Sequence, residues 1–220
     1  MNEELIVHLR PKSSISENIR TIRTNLQFSS IKENMKVILI TSSIPGEGKS
    51  FISSNLAAAF AQTKKKVLLI DCDIRRGKQH RILWSKDEKG LSDLLISNDD
   101  VNNYIVKTAI DNLYLITRGT IAPNPSELLN SNKMKNLIAE LKNRFDYIIL
   151  DGVPVTGLPD ALVLSKIADK TVIIASAGYT PTDLLVNTKK SLLNVGADIA
   201  GVVVNKLKVP NSSYYSKYYE

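Results

Sequence analysis

The stretch Val37-Ile38-Leu39-Ile40-Thr41-Ser42-Ser43-Ile44-Pro45-Gly46-Glu47-Gly48-Lys49-Ser50 decides the fold. Its first four residues are apolar without interruption, which is how a strand covered on both faces reads. Pro45, Gly46 and Gly48 break that pattern, and Lys49–Gln62 reads as a helix. A strand, a glycine-rich turn and a helix start set backbone N–H groups in a concave array at the positive end of a helix dipole, where phosphate oxygens bind. Gly46 and Gly48 remove the Cβ atoms that would block close approach. Lys49 reaches the outer phosphates and Ser50 is placed to ligate Mg²⁺. An incidental glycine turn capped by a serine is the plain alternative, and the strand and helix on either side argue against it. One position departs from the phosphate-loop pattern: Ser43 stands where its first glycine is expected. Nucleotide contacts are expected from Pro45, Gly46, Glu47, Gly48, Lys49, Ser50 and Phe51.

Outward from this stretch, short apolar runs alternate with helical patterns. Val67–Ile70, Tyr114–Ile116, Tyr147–Leu150, Thr171–Ile174 and Ile199–Val204 read as further strands. Helices are expected at Ser126–Arg144, Asp160–Ala168 and Thr182–Val195. The alternation predicts an α/β fold of the P-loop type, a mostly parallel, doubly wound sheet flanked by helices. An extra N-terminal helix is expected at Ser14–Phe28. The domain is expected to span residues 1–208, leaving 209–220 as a tail that holds Tyr214, Tyr215, Tyr218 and Tyr219, four of the eight tyrosines. No folding requirement explains that clustering, and the Pro210–Ser213 base reads as mobile.

Two acidic elements close apolar strands. In Asp71-Cys72-Asp73, strand alternation puts both carboxylates on one side, with Cys72 as a small core residue. Asp151 ends the run Tyr147–Leu150, where a metal-positioning aspartate of this fold stands. The C-terminal edge of a parallel sheet is where ligands bind in such folds. A lone aspartate there is often a cap; three beside a phosphate loop are more specific. Arg75 and Arg76 follow closely and suit either a phosphate or a surface ion pair.

The chain has 220 residues, a net charge of +7, a hydrophobic fraction of 43% and a single cysteine, Cys72. This is the balance of an ordinary soluble domain with no internal disulfide. No apolar run approaches the ~20 residues of a membrane span. The basic residues are dispersed without interleaved aromatics, so nucleic acid is not an expected partner. A cytoplasmic location is expected, with a basic surface suited to an anionic membrane face.

The motifs together resemble the bacterial tyrosine kinases of capsule and exopolysaccharide synthesis, in particular the cytoplasmic kinase subunit of Gram-positive bacteria. The resemblance rests on Ser16–Asn25, Thr41–Ser50, Leu69-Ile70-Asp71-Cys72-Asp73-Ile74-Arg75-Arg76, Pro123–Leu129 and the tyrosine cluster. It implies ATP and Mg²⁺ as cofactors, with Ser50, Asp73 and Asp151 at the metal. Lys49, Asp71 and Asp73 are implied as catalytic groups, Asp71 to accept or orient the tyrosine proton and Asp73 to position Mg²⁺ directly or through water, with these two roles exchangeable. Asn205-Lys206 resembles a base-contacting position, though a turn or capping role suits Asn205 as well. Glu17, Arg20 and Arg23 match the family's Glu-x-x-Arg-x-x-Arg element, implying a ring-like homo-oligomer in which one tail enters a neighbouring site; spacing alone suggests an internal salt bridge. Tail phosphorylation in cis or in trans is allowed, since a dozen residues reach ~40 Å. A transmembrane polysaccharide co-polymerase adaptor as activator, a cognate tyrosine phosphatase, other protein substrates and peripheral membrane association follow from the resemblance alone. The chain departs at Gly152-Val153, where the family commonly has Thr or Ser and proline. The rival readings are a positioning ATPase, which usually carries a second lysine where this chain has Ile44, and a nucleotide-binding regulator without kinase activity.

Overall fold

The computed structural model describes residues 4–29, 35–86 and 89–207. The tail tyrosines Tyr214, Tyr215, Tyr218 and Tyr219 lie outside the described residues, as does the expected domain boundary at 208.

A short helix, α1 (Ile6–Leu9), and α2 (Ser14–Ser29) precede the first strand, β1 (Val37–Ser42). There follow α3 (Lys49–Ala61), β2 (Val67–Asp71), α4 (Gln79–Ile82), α5 (Leu91–Ile96), a 3₁₀ turn (Val101–Asn103), β3 (Val106–Lys107) and β4 (Leu113–Ile116). The chain continues through α6 (Pro125–Leu129), α7 (Asn132–Leu141), β5 (Tyr147–Pro154), α8 (Asp160–Ser165), β6 (Lys170–Ser176), α9 (Thr182–Asn194) and β7 (Ile199–Asn205). The strands form one sheet in the order β3-β4-β2-β5-β1-β6-β7. All neighbours are parallel except β3 and β4.

The continuous apolar run of β1 is explained by its place. It lies between β5 and β6, and every one of its residues is buried. The helix α3 is buried nearly all round because it packs on β1, β2 and β5 while α1 and α2 cover its outer side. A helix apolar on every face belongs in such an interior layer. Asn55 on α3 ties the N-terminal segment down. Its Oδ1 accepts from the Val7 N–H at 2.9 Å, and its Nδ2 donates to the Glu4 carbonyl at 2.7 Å.

Three expectations change. The helix expected over Ser126–Arg144 is two, because the Ser131 hydroxyl accepts from the Met134 N–H as an N-cap and restarts the chain as α7. Strand β5 continues through Asp151 to Pro154 rather than stopping at Leu150. The two-residue edge strand β3 was not expected: its period is too short to read.

Asp169 anchors the entry of β1. Its Oδ2 accepts from the N–H groups of Lys36 and Val37, each at 2.8 Å, and its Oδ1 takes the Lys142 ammonium at 2.6 Å. Burial pushes this carboxyl upward, but the Lys142 bond and the two backbone donors outweigh it and hold the pKa below its usual value. Replacing it strands two N–H groups, so Asp169→Ala should cost about 2 kcal/mol. By thermal melting that is a loss of about 5 °C, with the fold unchanged by circular dichroism.

Candidate nucleotide and metal site

The loop after β1 is braced from three directions. Gly48, at the N-cap of α3, has φ +98°, and a Cβ there would lie 2.1 Å from Asn205 Nδ2. That amide donates to the Glu47 carbonyl at 2.9 Å, and Lys206 Nζ donates to the Gly46 carbonyl at 2.7 Å. The Glu47 side chain is wholly buried, accepting the Ile44 N–H at 2.8 Å and the Thr180 hydroxyl. Ser43, the residue in place of the expected glycine, pairs its hydroxyl with Thr188 on α9 at 3.0 Å. The substitution is accommodated because the side chain turns into that helix contact.

Pro45, Gly46, Lys49, Ser50 and Asp73 line one cavity of about 400 Å³, rimmed by Arg75, Arg76 and Lys78. Lys49 is 8% exposed. Burial lowers its pKa, opposed by Asp151, Asp73 and Glu47, whose charges favour the ammonium.

Behind the cavity, Asp71 at the end of β2 and Asp151 within β5 are register partners on adjacent strands, both fully buried. Strand β2 ends at Asp71, so the alternation argument stops there. Asp73 stands in the following turn, partly exposed, with its N–H on Asp71 Oδ1 at 3.3 Å. Asp151 Oδ1 accepts from Ser53 Oγ at 2.9 Å and Oδ2 from Gln79 Nε2 at 2.7 Å. Burial raises the pKa of both carboxyls. For Asp71 the Asp151 charge adds to the rise; for Asp151 the hydrogen bonds from Gln79, Ser50 and Ser53 and the Lys49 charge restrain it. Cys72, as expected, is a buried core residue whose thiol burial pushes upward.

Ser53 and Gln79 are functional neighbours the sequence reading missed. Ser53 was within reach of it, since one helical turn past Ser50 puts it on the same face. Gln79 carries no such signal within Lys78-Gln79-His80-Arg81. The close approach of Gly77 was missed too: a Cβ there would stand 2.3 Å from Asp71 Oδ1. On α2, Glu17 and Arg20 form an ion pair within the helix, and Arg23 donates to the Ala59 carbonyl at 2.9 Å. Arg75 pairs with the buried Asp160 at 3.6 Å.

The donor set fits a hydrated Mg²⁺. Among the described residues no three His, Cys, Asp or Glu side chains form a ready metal cage. Mg²⁺ commonly binds through one or two carboxylates plus substrate phosphates, which Ser50, Asp73 and Asp151 with a bound nucleotide would provide. One buried acceptor at this place, Gln79 Oε1, has no hydrogen-bond partner.

An AAA domain family matches residues 35–192. The chain is 37% identical over 218 residues to tyrosine-protein kinase YwqD of Bacillus subtilis (strain 168), covering 99% of this chain and 92% of that protein. It is 38% identical to the putative tyrosine-protein kinase CapB of Staphylococcus aureus, over 98% and 95% of the two chains. The chain belongs to the bacterial tyrosine-protein kinase family. The crystal structure of the chimerical protein CapA2B2 superposes with a TM-score of 0.90 at 37% identity, over 95% of this chain and 92% of that one. The septum site-determining protein MinD of Pyrococcus horikoshii OT3, at TM-score 0.67 and 22% identity over 81% of this chain and 72% of that one, shares the fold alone. The rival positioning ATPase is therefore the more distant relation. As in the sequence reading, no helix among the described residues is long and apolar enough to cross a membrane.

The raised pKa of Asp71 makes the kinase fold sensitive to pH. The folded state keeps a proton that the unfolded state has released, so stability falls as pH rises from the ordinary carboxylate value through the raised one. Melting temperatures taken across that window should fall with rising pH, and Asp71→Asn should flatten the slope.

Proposed function

We propose that the chain is an ATP- and Mg²⁺-dependent protein-tyrosine kinase that phosphorylates Tyr214, Tyr215, Tyr218 and Tyr219 of its own tail and regulates capsular or exopolysaccharide synthesis. The observation that carries this reading is the register pairing of Asp71 with Asp151 directly behind a phosphate-loop cavity that Asp73 lines. Phosphoryl transfer needs alignment and charge neutralisation more than covalent help from protein. The loop amides and Lys49 hold the phosphates. Ser50, Asp73 and Asp151 would hold Mg²⁺, which when bound would neutralise phosphate charge. Phe51 and Asn205 complete the expected nucleotide contacts, Asn205 through its brace on the Glu47 carbonyl.

A phenol has a pKa of ~10 and is mostly protonated at neutral pH, so a carboxylate partner assists its attack. The cavity-lining position of Asp73 supports giving it first contact with the hydroxyl, the exchange of roles that the sequence allows, with Asp71 buried behind it. The basic rim of Arg75, Arg76 and Lys78 suits an incoming chain that grows more anionic with each phosphate.

Glu17, Arg20 and Arg23 are proposed to meet a neighbouring subunit in a ring-like oligomer, exchanging their internal partners for that contact. Accumulated tail phosphate, at about −1.5 to −2 charges each, would drive the subunits apart. A transmembrane co-polymerase adaptor is proposed as activator at the inner membrane face, and a tyrosine phosphatase as the opposing enzyme.

Purified protein incubated with ATP, Mg²⁺ and the adaptor's cytoplasmic segment should give an anti-phosphotyrosine signal that mass spectrometry maps to the tail. Lys49→Ala and Asp71→Ala should abolish it. Signal retained in both variants, or ATP-dependent dimerisation without any phosphotyrosine, would overturn the assignment.

A further inference from the structure

Gln79 is wholly buried at the start of α4 and makes contacts that its place in the chain does not require. Its main-chain N–H donates to Asp71 Oδ2 at 2.9 Å. Its side-chain Nε2 donates to Asp151 Oδ2 at 2.7 Å and to the Ser50 carbonyl at 3.0 Å. An amide nitrogen carries two hydrogens, and both are engaged. The orientation follows from the chemistry, because the flipped amide would set Oε1 against a carboxylate and a carbonyl, acceptor facing acceptor. Oε1 is thus held away from these groups, buried and without a hydrogen-bond partner.

A structural role explains the nitrogen and leaves the oxygen unexplained. Through this one residue the end of β2, the start of α3 and β5 are tied together. A buried acceptor without a donor is rare in a folded protein and calls for a specific reason. The nitrogen of the same amide is held by Ser50 and Asp151, the residues read above as facing phosphate and metal.

We propose that Gln79 is a positioning residue of the metal–nucleotide site, whose Nε2 fixes the spacing between Ser50 and Asp151 and whose Oε1 accepts a hydrogen bond from the water shell of a divalent cation. The proposal rests on the reading of Ser50 and Asp151 as metal-facing groups. Mg²⁺ sheds its waters reluctantly, and those waters are strong donors that need acceptors around the site. Groups one step removed from a metal set the orientation of those that bind it, and their loss typically costs 10–100-fold in metal affinity or activity. Gln79 itself need touch neither the cation nor the nucleotide.

Two variants of the full chain test this. Gln79→Met keeps the length and burial of the side chain without its amide. Gln79→Glu keeps the shape and an acceptor but removes both donors and sets a like charge against Asp151. Both leave the main-chain bond to Asp71 in place. A fluorescent ADP analogue is titrated into each protein with Mg²⁺ and, separately, with EDTA. Gln79→Met should lose about tenfold of the Mg²⁺-dependent tightening while its affinity in EDTA stays within about twofold of wild type. Its autophosphorylation in Mg²⁺ should show a KM for ATP raised in the same direction. Gln79→Glu should lose at least as much, and it decides the matter if circular dichroism shows that Gln79→Met has not folded.

A folded variant with wild-type Mg²⁺ dependence would overturn the proposal and leave the metal-site reading standing. An equal loss with Mg²⁺ and with EDTA would also overturn it, since that is the mark of a purely structural residue. Wild-type protein whose ADP affinity ignores Mg²⁺ would overturn the metal-site reading, and the proposal with it.

Discussion

Two carboxylates, Asp71 and Asp151, face each other as register partners on adjacent parallel strands, out of contact with water. Buried like charges are costly unless they are neutralised, hydrogen-bonded or answered by a cation. Each nearby polar contact answers part of that cost. Ser53 and Gln79 each give Asp151 a donor, backbone N–H groups of Asp73 and Gln79 serve Asp71, and the ammonium of Lys49 favours the charged form of Asp151. A site arranged in this way is stabilised further by a divalent cation and by phosphates on the loop side.

The sheet supplies the placement. With β1 central, β5 and β2 to one side and β6 and β7 to the other, the loops after β1, β2 and β5 converge at one edge. From the opposite side β7 reaches back, and Asn205 and Lys206 hold the carbonyls of Glu47 and Gly46. Residues far apart in sequence therefore set the shape of the phosphate loop. The chain leaves β7 directly from the residues that brace this loop.

Much of this was legible in the sequence. The core strands show as uninterrupted apolar runs because they are covered on both faces, and the loop at Pro45–Ser50 declares itself through its glycines and Lys49. Asp71 and Asp151 were readable as strand-end acids, though nothing local gives their mutual register, which depends on β2 and β5 pairing across the chain. Asp73 was misplaced in detail because a periodicity rule was carried two residues past the end of its strand. Gln79 was invisible since its importance is entirely tertiary: a long polar side chain in a basic stretch looks like surface. The break at Asn130–Ser131 was missed because amphipathic spacing continues across it, and only the capping bond of Ser131 reveals two helices. The internal pairing of Glu17 with Arg20 is what spacing alone suggests, while their intersubunit role is an implication of the family.

The most direct measurement is a crystal structure of the protein with ADP and Mg²⁺. The account predicts the β-phosphate in the loop of residues 46–49, the cation against Ser50 Oγ, and the carboxylates of Asp73 and Asp151 turned toward it with Asp71 behind. A structure in which ADP and Mg²⁺ are bound while all three carboxylates point away from the ion would contradict it.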